Sequence, residues 1–110
     1  GRRSTNATGT IKLGKYLLDA DHATLKNQED NTEKMLTARE AKILEILAVN
    51  KNEVVRREAI LSRFWGVEDK DYFASRSLDV FIKKIRTAIE DEPGVELKTI
   101  RGVGFKLIAE

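Results

Sequence analysis

The chain has no cysteine, one histidine and one proline in 110 residues, and no apolar run approaches the roughly 20 residues of a membrane-crossing helix. Without cysteine there is no disulfide, thiolate metal site or thiol nucleophile, a composition that suits a reducing compartment; the expected location is the cytoplasm, with no membrane partner. His22 lies between Asp19, Asp21 and Thr24 in a turn-like stretch, without the spacing of a metal site. No motif pairs two carboxylates for general acid–base work. Neither enzyme activity, nor a metal, nor a cofactor is therefore expected. The first residues also lack the apolar stretch of a secretory signal.

What is present is ordinary for one compact domain: 41% hydrophobic and 35% charged residues, enough for a single core. The net charge of +2 is too small to name a partner, so the distribution of charge matters more. Acids gather at Glu68 to Asp71 and Glu90 to Glu92. Arg56, Arg57, Arg63, Lys83, Lys84, Arg86, Lys98, Arg101 and Lys106 fall on segments that a fold can bring to one side.

Residues 1–8 are polar and aperiodic, and are expected to form a linker or arm ahead of a domain covering 9–110. Four short apolar runs follow, Ile11–Leu13, Tyr16–Leu18, Ala23–Leu25 and Met35–Leu36, separated by turn-forming residues; they predict a small antiparallel sheet. Thr37-Ala-Arg-Glu40 is a capping box and predicts a helix with Ile43, Leu44 and Leu47 inward, ending near Asn50 to Asn52. Val54-Val55 reads as a short extended piece.

A second helix is expected from about Arg56 to Trp65, ended by Gly66. A third, from Ser75 as cap to Asp91, carries Leu78, Ile82, Ile85 and Ile89 on one face. Beyond Pro93-Gly94, residues 97–101 and 105–108 alternate about Gly102-Val-Gly104 and predict a hairpin, both glycines allowing the reversal through positive φ. The expected class is α+β: a winged helix-turn-helix with a small N-terminal antiparallel sheet, three helices and a C-terminal hairpin wing.

With its apolar face inward, the third helix presents Arg76, Val80, Lys83, Lys84 and Thr87 on the opposite side. Long cationic donors around one small apolar group suit the DNA major groove, where lysine or arginine donates to guanine and an apolar group meets the thymine methyl. A solvated surface helix shows the same residue types. The order of elements favours DNA: helix, helix ending in an aromatic, longer helix with a basic outer face, then a glycine hairpin placing Arg101 near a tip able to enter a minor groove. Trp65 has two readings, packing beside Phe64 or donating its indole N–H to phosphate.

Several motifs in this order resemble the OmpR/PhoB-type output domains of bacterial response regulators. They are Leu36-Thr-Ala-Arg-Glu40, Val55-Arg-Arg-Glu58, Phe64-Trp-Gly66, Arg76-Ser-Leu-Asp-Val80, Lys83-Lys-Ile-Arg86 and Thr99-Ile-Arg-Gly-Val-Gly-Phe105. The resemblance implies a transcriptional regulator in which the third helix enters the major groove. Arg76, Ser77, Val80 and Lys84 then face bases or adjoining backbone, and Arg101 the minor groove. Trp65, Lys83, Arg86, Thr99 and Phe105 match positions that contact phosphate or support such contacts. Arg56 and Arg57, at the start of the second helix, are expected to contact phosphate as well.

Five positions depart from the family's habits. Phe81 stands where a polar residue is common and Phe105 where tyrosine is frequent; Lys83 and Lys84 replace arginines, losing the planar fork. Arg56 takes the place of a capping serine or threonine. The resemblance further implies a receiver domain N-terminal to this chain, control by phosphorylation, and dimers on paired promoter sites, often direct repeats. RNA polymerase contact is implied for the loop 67–74. The isolated domain is expected to be monomeric. The competing reading is a winged-helix module used mainly for protein–protein contacts, since a basic face also suits an acidic protein.

Overall fold

The computed structural model describes residues 10–66 and 72–109. The proposed linker 1–8, and residues 67–71 of the loop assigned to polymerase contact, lie outside these.

The four short apolar runs form a meander: β1 (Thr10–Leu13), β2 (Tyr16–Asp19), β3 (Thr24–Asn27) and β4 (Glu33–Met35), paired antiparallel in that order. Register follows from alternation, since Leu18 opposes Leu25 across β2 and β3 and both are fully buried. Asp19 closes the β2–β3 turn, accepting from the His22 backbone N–H at 3.1 Å and lying 2.8 Å from its imidazole Nδ1. This is the polar turn expected there.

Helix α1 (Ala38–Val49) begins at the expected box. The Glu40 amide donates to Thr37 Oγ1 at 3.1 Å and the Thr37 amide to Glu40 Oε1 at 2.7 Å. At its far end Asn50 donates to the Ile46 carbonyl, and Asn52, in a left-handed conformation, donates its backbone and side-chain N–H groups to Leu107 and Ala109. The turn after α1 is thereby tied to the C-terminal hairpin.

The extended piece at 54–56 gains a partner that its sequence did not name. As β5 (Val54–Arg56) it pairs with the hairpin, giving a three-stranded sheet ordered β5, β7 (Gly104–Ala109), β6 (Val95–Ile100). Helix α2 (Arg57–Trp65) starts without a side-chain cap, because Arg56 occupies the cap position, and ends on left-handed Gly66. Of the two hairpin glycines, Gly102 meets the expectation of positive φ and Gly104 does not. Gly102 has φ +77°, whereas Gly104 lies in β7 without positive φ; a Cβ there would overlap the Val55 carbonyl oxygen and lie 2.8 Å from Arg56 Cα. Space, not conformation, requires glycine at 104.

Helix α3 (Tyr72–Ile89) begins three residues before the expected cap and ends two before the expected terminus. Ala74, four residues ahead of Leu78, is buried and extends the inward stripe by a turn, so Ser75 sits inside the helix and does not cap it. The core lies where that stripe meets Leu13, Tyr16 and Leu25 of the first sheet, Leu44 and Leu47 of α1, Ile60 and Leu61 of α2, and Leu97, Phe105 and Leu107 of the hairpin. Both sheets thus pack on one helical layer, and α3 keeps one long side open to solvent.

Candidate nucleic-acid interface

Burial of Leu78, Ile82, Ile85 and Ile89 fixes the rotation of α3, and its outer face carries exposed Arg76, Val80, Lys83, Lys84 and Thr87. Val80 is 53% exposed, an apolar side chain kept in water among cations. Ser77 and Phe81 are half-buried on one flank. Phe81 packs toward the core with its ring centroid 5.8 Å from that of half-buried Trp65. The Arg39 guanidinium lies 4.6 Å from the Trp65 ring centroid, so a cation from the first turn of α1 joins this flank. Arg39 was not singled out in the sequence; its place after the capping threonine was the available signal.

The opposite flank faces the hairpin. Arg86 donates from Nε to the Leu97 carbonyl at 3.1 Å and from Nη2 to Thr99 Oγ1 at 2.9 Å, joining two sequence-predicted residues. Arg57 is half-buried, with its donors directed at α3: Nη2 lies 2.6 Å from Ser75 Oγ, 2.9 Å from the Ser75 carbonyl and 2.8 Å from Asp79 Oδ1. Arg56 is exposed and paired with Glu58 at 2.8 Å. Arg101 is exposed in the turn between β6 and β7, beside partly exposed Val103.

Phe105 is 2% exposed and belongs to the core, beneath the Arg57 guanidinium at 5.7 Å. Its ring therefore lies beneath the surface and not on it.

The far end of α3 is clamped to the first sheet. Tyr16 is fully buried except for its hydroxyl's reach to Asp91, to which it donates at 2.6 Å. Lys34 donates to the Ala88 carbonyl at 2.7 Å and lies 3.5 Å from Asp91. An acid at a helix C-terminus opposes the dipole, and Lys34 offsets that by serving both the carbonyl and the acid. Hydrogen bonding from Tyr16, aided by Lys34 and Lys15, holds the Asp91 carboxyl below the usual range; burial and the same hydrogen bond push the Tyr16 phenol up. Glu92, accepting from the backbone of Gly94 and Lys15, is likewise held low.

Between β4 and α3 runs an open groove of about 470 Å³ lined by Met35, Leu36, Val80, Lys83, Lys84 and Ala88 among others. Met35, at 75% exposure, is its outer lip. Among the described residues no cluster of three or more potential metal ligands occurs, and no helix is long and apolar enough to cross a membrane.

The architecture and sequence have clear relatives. The chain is 32% identical over 106 residues to the transcriptional regulatory protein RprY of Bacteroides fragilis, covering 96% of this chain and 43% of that protein. It is 35% identical to the crystallised response regulator DrrB of Thermotoga maritima, an OmpR/PhoB homologue, with TM-score 0.72 over 92% of this chain and 45% of that one. The Klebsiella pneumoniae RstA DNA-binding domain, solved with its RstA box, has the same fold: TM-score 0.73 at 24% identity, covering 90% of this chain and 96% of that one. The chain thus spans less than half the length of relatives such as RprY. Residues 31–107 match the family described as transcriptional regulatory protein, C terminal, and the chain belongs to that family as a winged-helix domain of the OmpR/PhoB type.

Proposed function

We propose that this domain binds double-stranded DNA sequence-specifically as the output module of a cytoplasmic response regulator, with α3 in the major groove and the β6–β7 turn at the minor groove. The observation that carries the reading is the outer face of α3. Val80 stays exposed between Arg76 and Lys84 on a helix whose opposite face is wholly buried. That arrangement offers donors for guanine edges and an apolar group for a thymine methyl.

In this reading Arg76, Ser77, Val80 and Lys84 meet bases or the adjoining backbone, and Arg101 reads minor-groove shape. Arg56, Lys83, Trp65, Arg86 and Thr99 make or brace phosphate contacts that set register without carrying sequence information. The RstA DNA-binding domain, of the same fold, was solved in complex with its RstA box, which supports DNA as the partner by analogy. A receiver domain N-terminal to this one, phosphorylation-driven pairing on direct repeats, and polymerase contact through residues 67–74, of which 72–74 belong to the first turn of α3, complete the proposal.

The test is in vitro selection from random duplexes, followed by affinity measured against salt. A consensus should emerge, and log affinity should fall with log salt by about 0.9 per neutralised phosphate. Recovery of no preferred duplex would overturn the DNA reading and leave the protein-contact alternative.

A further inference from the structure

The hairpin-facing flank of α3 contains an acid where a DNA-reading helix can least accommodate one. Asp79 is the single acidic residue of α3, three residues after Arg76 and four before Lys83, and its side chain is 60% exposed. A bare carboxylate there repels phosphate. It is instead held by Arg57, whose Nη2 lies 2.8 Å away.

Arg57 does more than neutralise it. The same guanidinium donates to Ser75 Oγ from Nε at 3.2 Å and from Nη2 at 2.6 Å, and to the Ser75 carbonyl at 2.9 Å. Its backbone N–H donates to the Val103 carbonyl at 2.9 Å, at the end of the turn that carries Arg101. Its planar cation also covers Phe105, at 5.7 Å, beside Gly104, where the strand passes too close for any Cβ. One residue at the β5–α2 junction therefore grips α3 with its side chain and the hairpin turn with its backbone. To reach a phosphate the side chain would surrender these hydrogen bonds and leave Asp79 unpaired.

We infer that Arg57 and Asp79 form a positioning pair that sets the angle between α3 and the β6–β7 turn, so that Arg57 acts on DNA through the placement of Arg76 and Arg101 and not as a phosphate ligand. The inference rests on the DNA-binding reading for its consequence and on the free protein for its geometry. Arg86, bonded to Leu97 and Thr99, holds the same flank about two turns beyond Asp79. Lysine at 57 keeps the charge but lacks the second donor, Nε, that Arg57 gives to Ser75 Oγ, and the planar face that it lays over Phe105.

Two measurements decide it. The first is affinity against salt for Arg57→Ala, Arg57→Lys, Asp79→Asn and the Arg57→Ala/Asp79→Asn double variant, on a duplex selected with the wild-type domain, with a thermal melt of each to establish folding. Positioning predicts a salt slope unchanged in Arg57→Ala and an affinity loss of about tenfold that Arg57→Lys does not rescue. It also predicts weaker binding in Asp79→Asn despite the lost negative charge, and a double variant no worse than Arg57→Ala alone. A slope reduced by about 0.9 in Arg57→Ala, with tighter binding in Asp79→Asn, would make Arg57 a phosphate ligand and overturn the inference.

The second measurement needs no DNA: amide hydrogen exchange at Arg57, whose N–H is bonded to Val103, should quicken at least severalfold in Asp79→Asn relative to amides of the first sheet. Unchanged exchange overturns the coupling. Failure of the wild type to select any duplex sinks the DNA reading, and the exchange result still decides the pair.

Discussion

Lys83 and Lys84 are neighbours in sequence, yet they sit about 100° apart around α3 and carry different expectations. Lys84 lies one turn beyond Val80 and shares its groove-facing side, whereas Lys83 lies nearer the hairpin flank, one turn beyond Asp79. Lys84→Ala is expected to relax base preference at one or two positions, by roughly 1 to 3 kcal/mol of discrimination. Lys83→Ala is expected to weaken all duplexes alike and to flatten the salt dependence by about 0.9. Parallel selection with the two variants checks this, and the reverse pattern would mean that the reading face is rotated. Gly104 gives a stability prediction of the same scale. A methyl group there meets the Val55 carbonyl and the backbone of Arg56 and Arg57, which cannot swing aside as a side chain does. Gly104→Ala should cost about 3 kcal/mol in urea unfolding, with the loss concentrated in β5–β7 pairing. Sequence alone could recognise this glycine as part of a hairpin, but the close approach comes from a strand some fifty positions away, and only the paired sheet brings it near. Phe105 shows the same limit from the other side, because a phenylalanine in an alternating strand has two faces to choose from and the buried one is fixed by what packs beneath Arg57.

At the scale of elements, α3 depends on contacts at both ends. Its hairpin flank is held by Arg57 and Arg86, and its C-terminal end by the Tyr16–Asp91–Lys34 cluster reaching across from β2 and β4. Tyr16→Phe removes the hydroxyl and leaves the ring in place, so the loss is that of a hydrogen bond to a charged acceptor. About 1.5 to 3 kcal/mol is expected by chemical denaturation. The acid dependence has a definite sign. Asp91 and Glu92 titrate below their ordinary values when folded, so their contribution is complete above the unfolded carboxylate range and is lost as pH falls through the lower folded values. Melting temperature should therefore drop from about pH 4 downward, and less steeply in the Asp91→Asn variant. The start of α3 was read too late in the sequence because acidic residues ahead of Ser75 suggested a loop and serine suggested a cap. Ala74 continues the Leu78 stripe, and that tertiary contact draws the preceding turn into the helix.

For the molecule as a whole, the large exposed apolar side chains Met35, Val49, Val54, Phe73, Val80 and Val103 are spread over β4, α1, β5, α3 and the hairpin turn, with Met35 and Val80 lining one open groove. Light scattering of the isolated domain should give a monomer mass at micromolar concentration, with pairing appearing only on a duplex carrying two sites; a stable dimer in the absence of DNA would contradict this.

The periods and punctuation of the sequence determined which segments become helices and strands. The Thr37–Glu40 box, Gly66, the Leu78–Ile89 stripe and the alternation around residue 102 are local signals, and local energetics suffice to express them. They also determined that Arg76, Val80, Lys83 and Lys84 share a face, since helical geometry follows from spacing alone. Tertiary structure decided matters that depend on distant partners: that β5 joins the hairpin, that Phe105 and much of Trp65 are covered, and that Arg57 turns inward to Asp79. A guanidinium can be satisfied by phosphate, water or a carboxylate, and its sequence neighbours do not say which. The choice falls to the carboxylate here because packing of α2 against α3 places Ser75 and Asp79 within reach of a side chain that emerges, half-buried, between the helix and the hairpin turn.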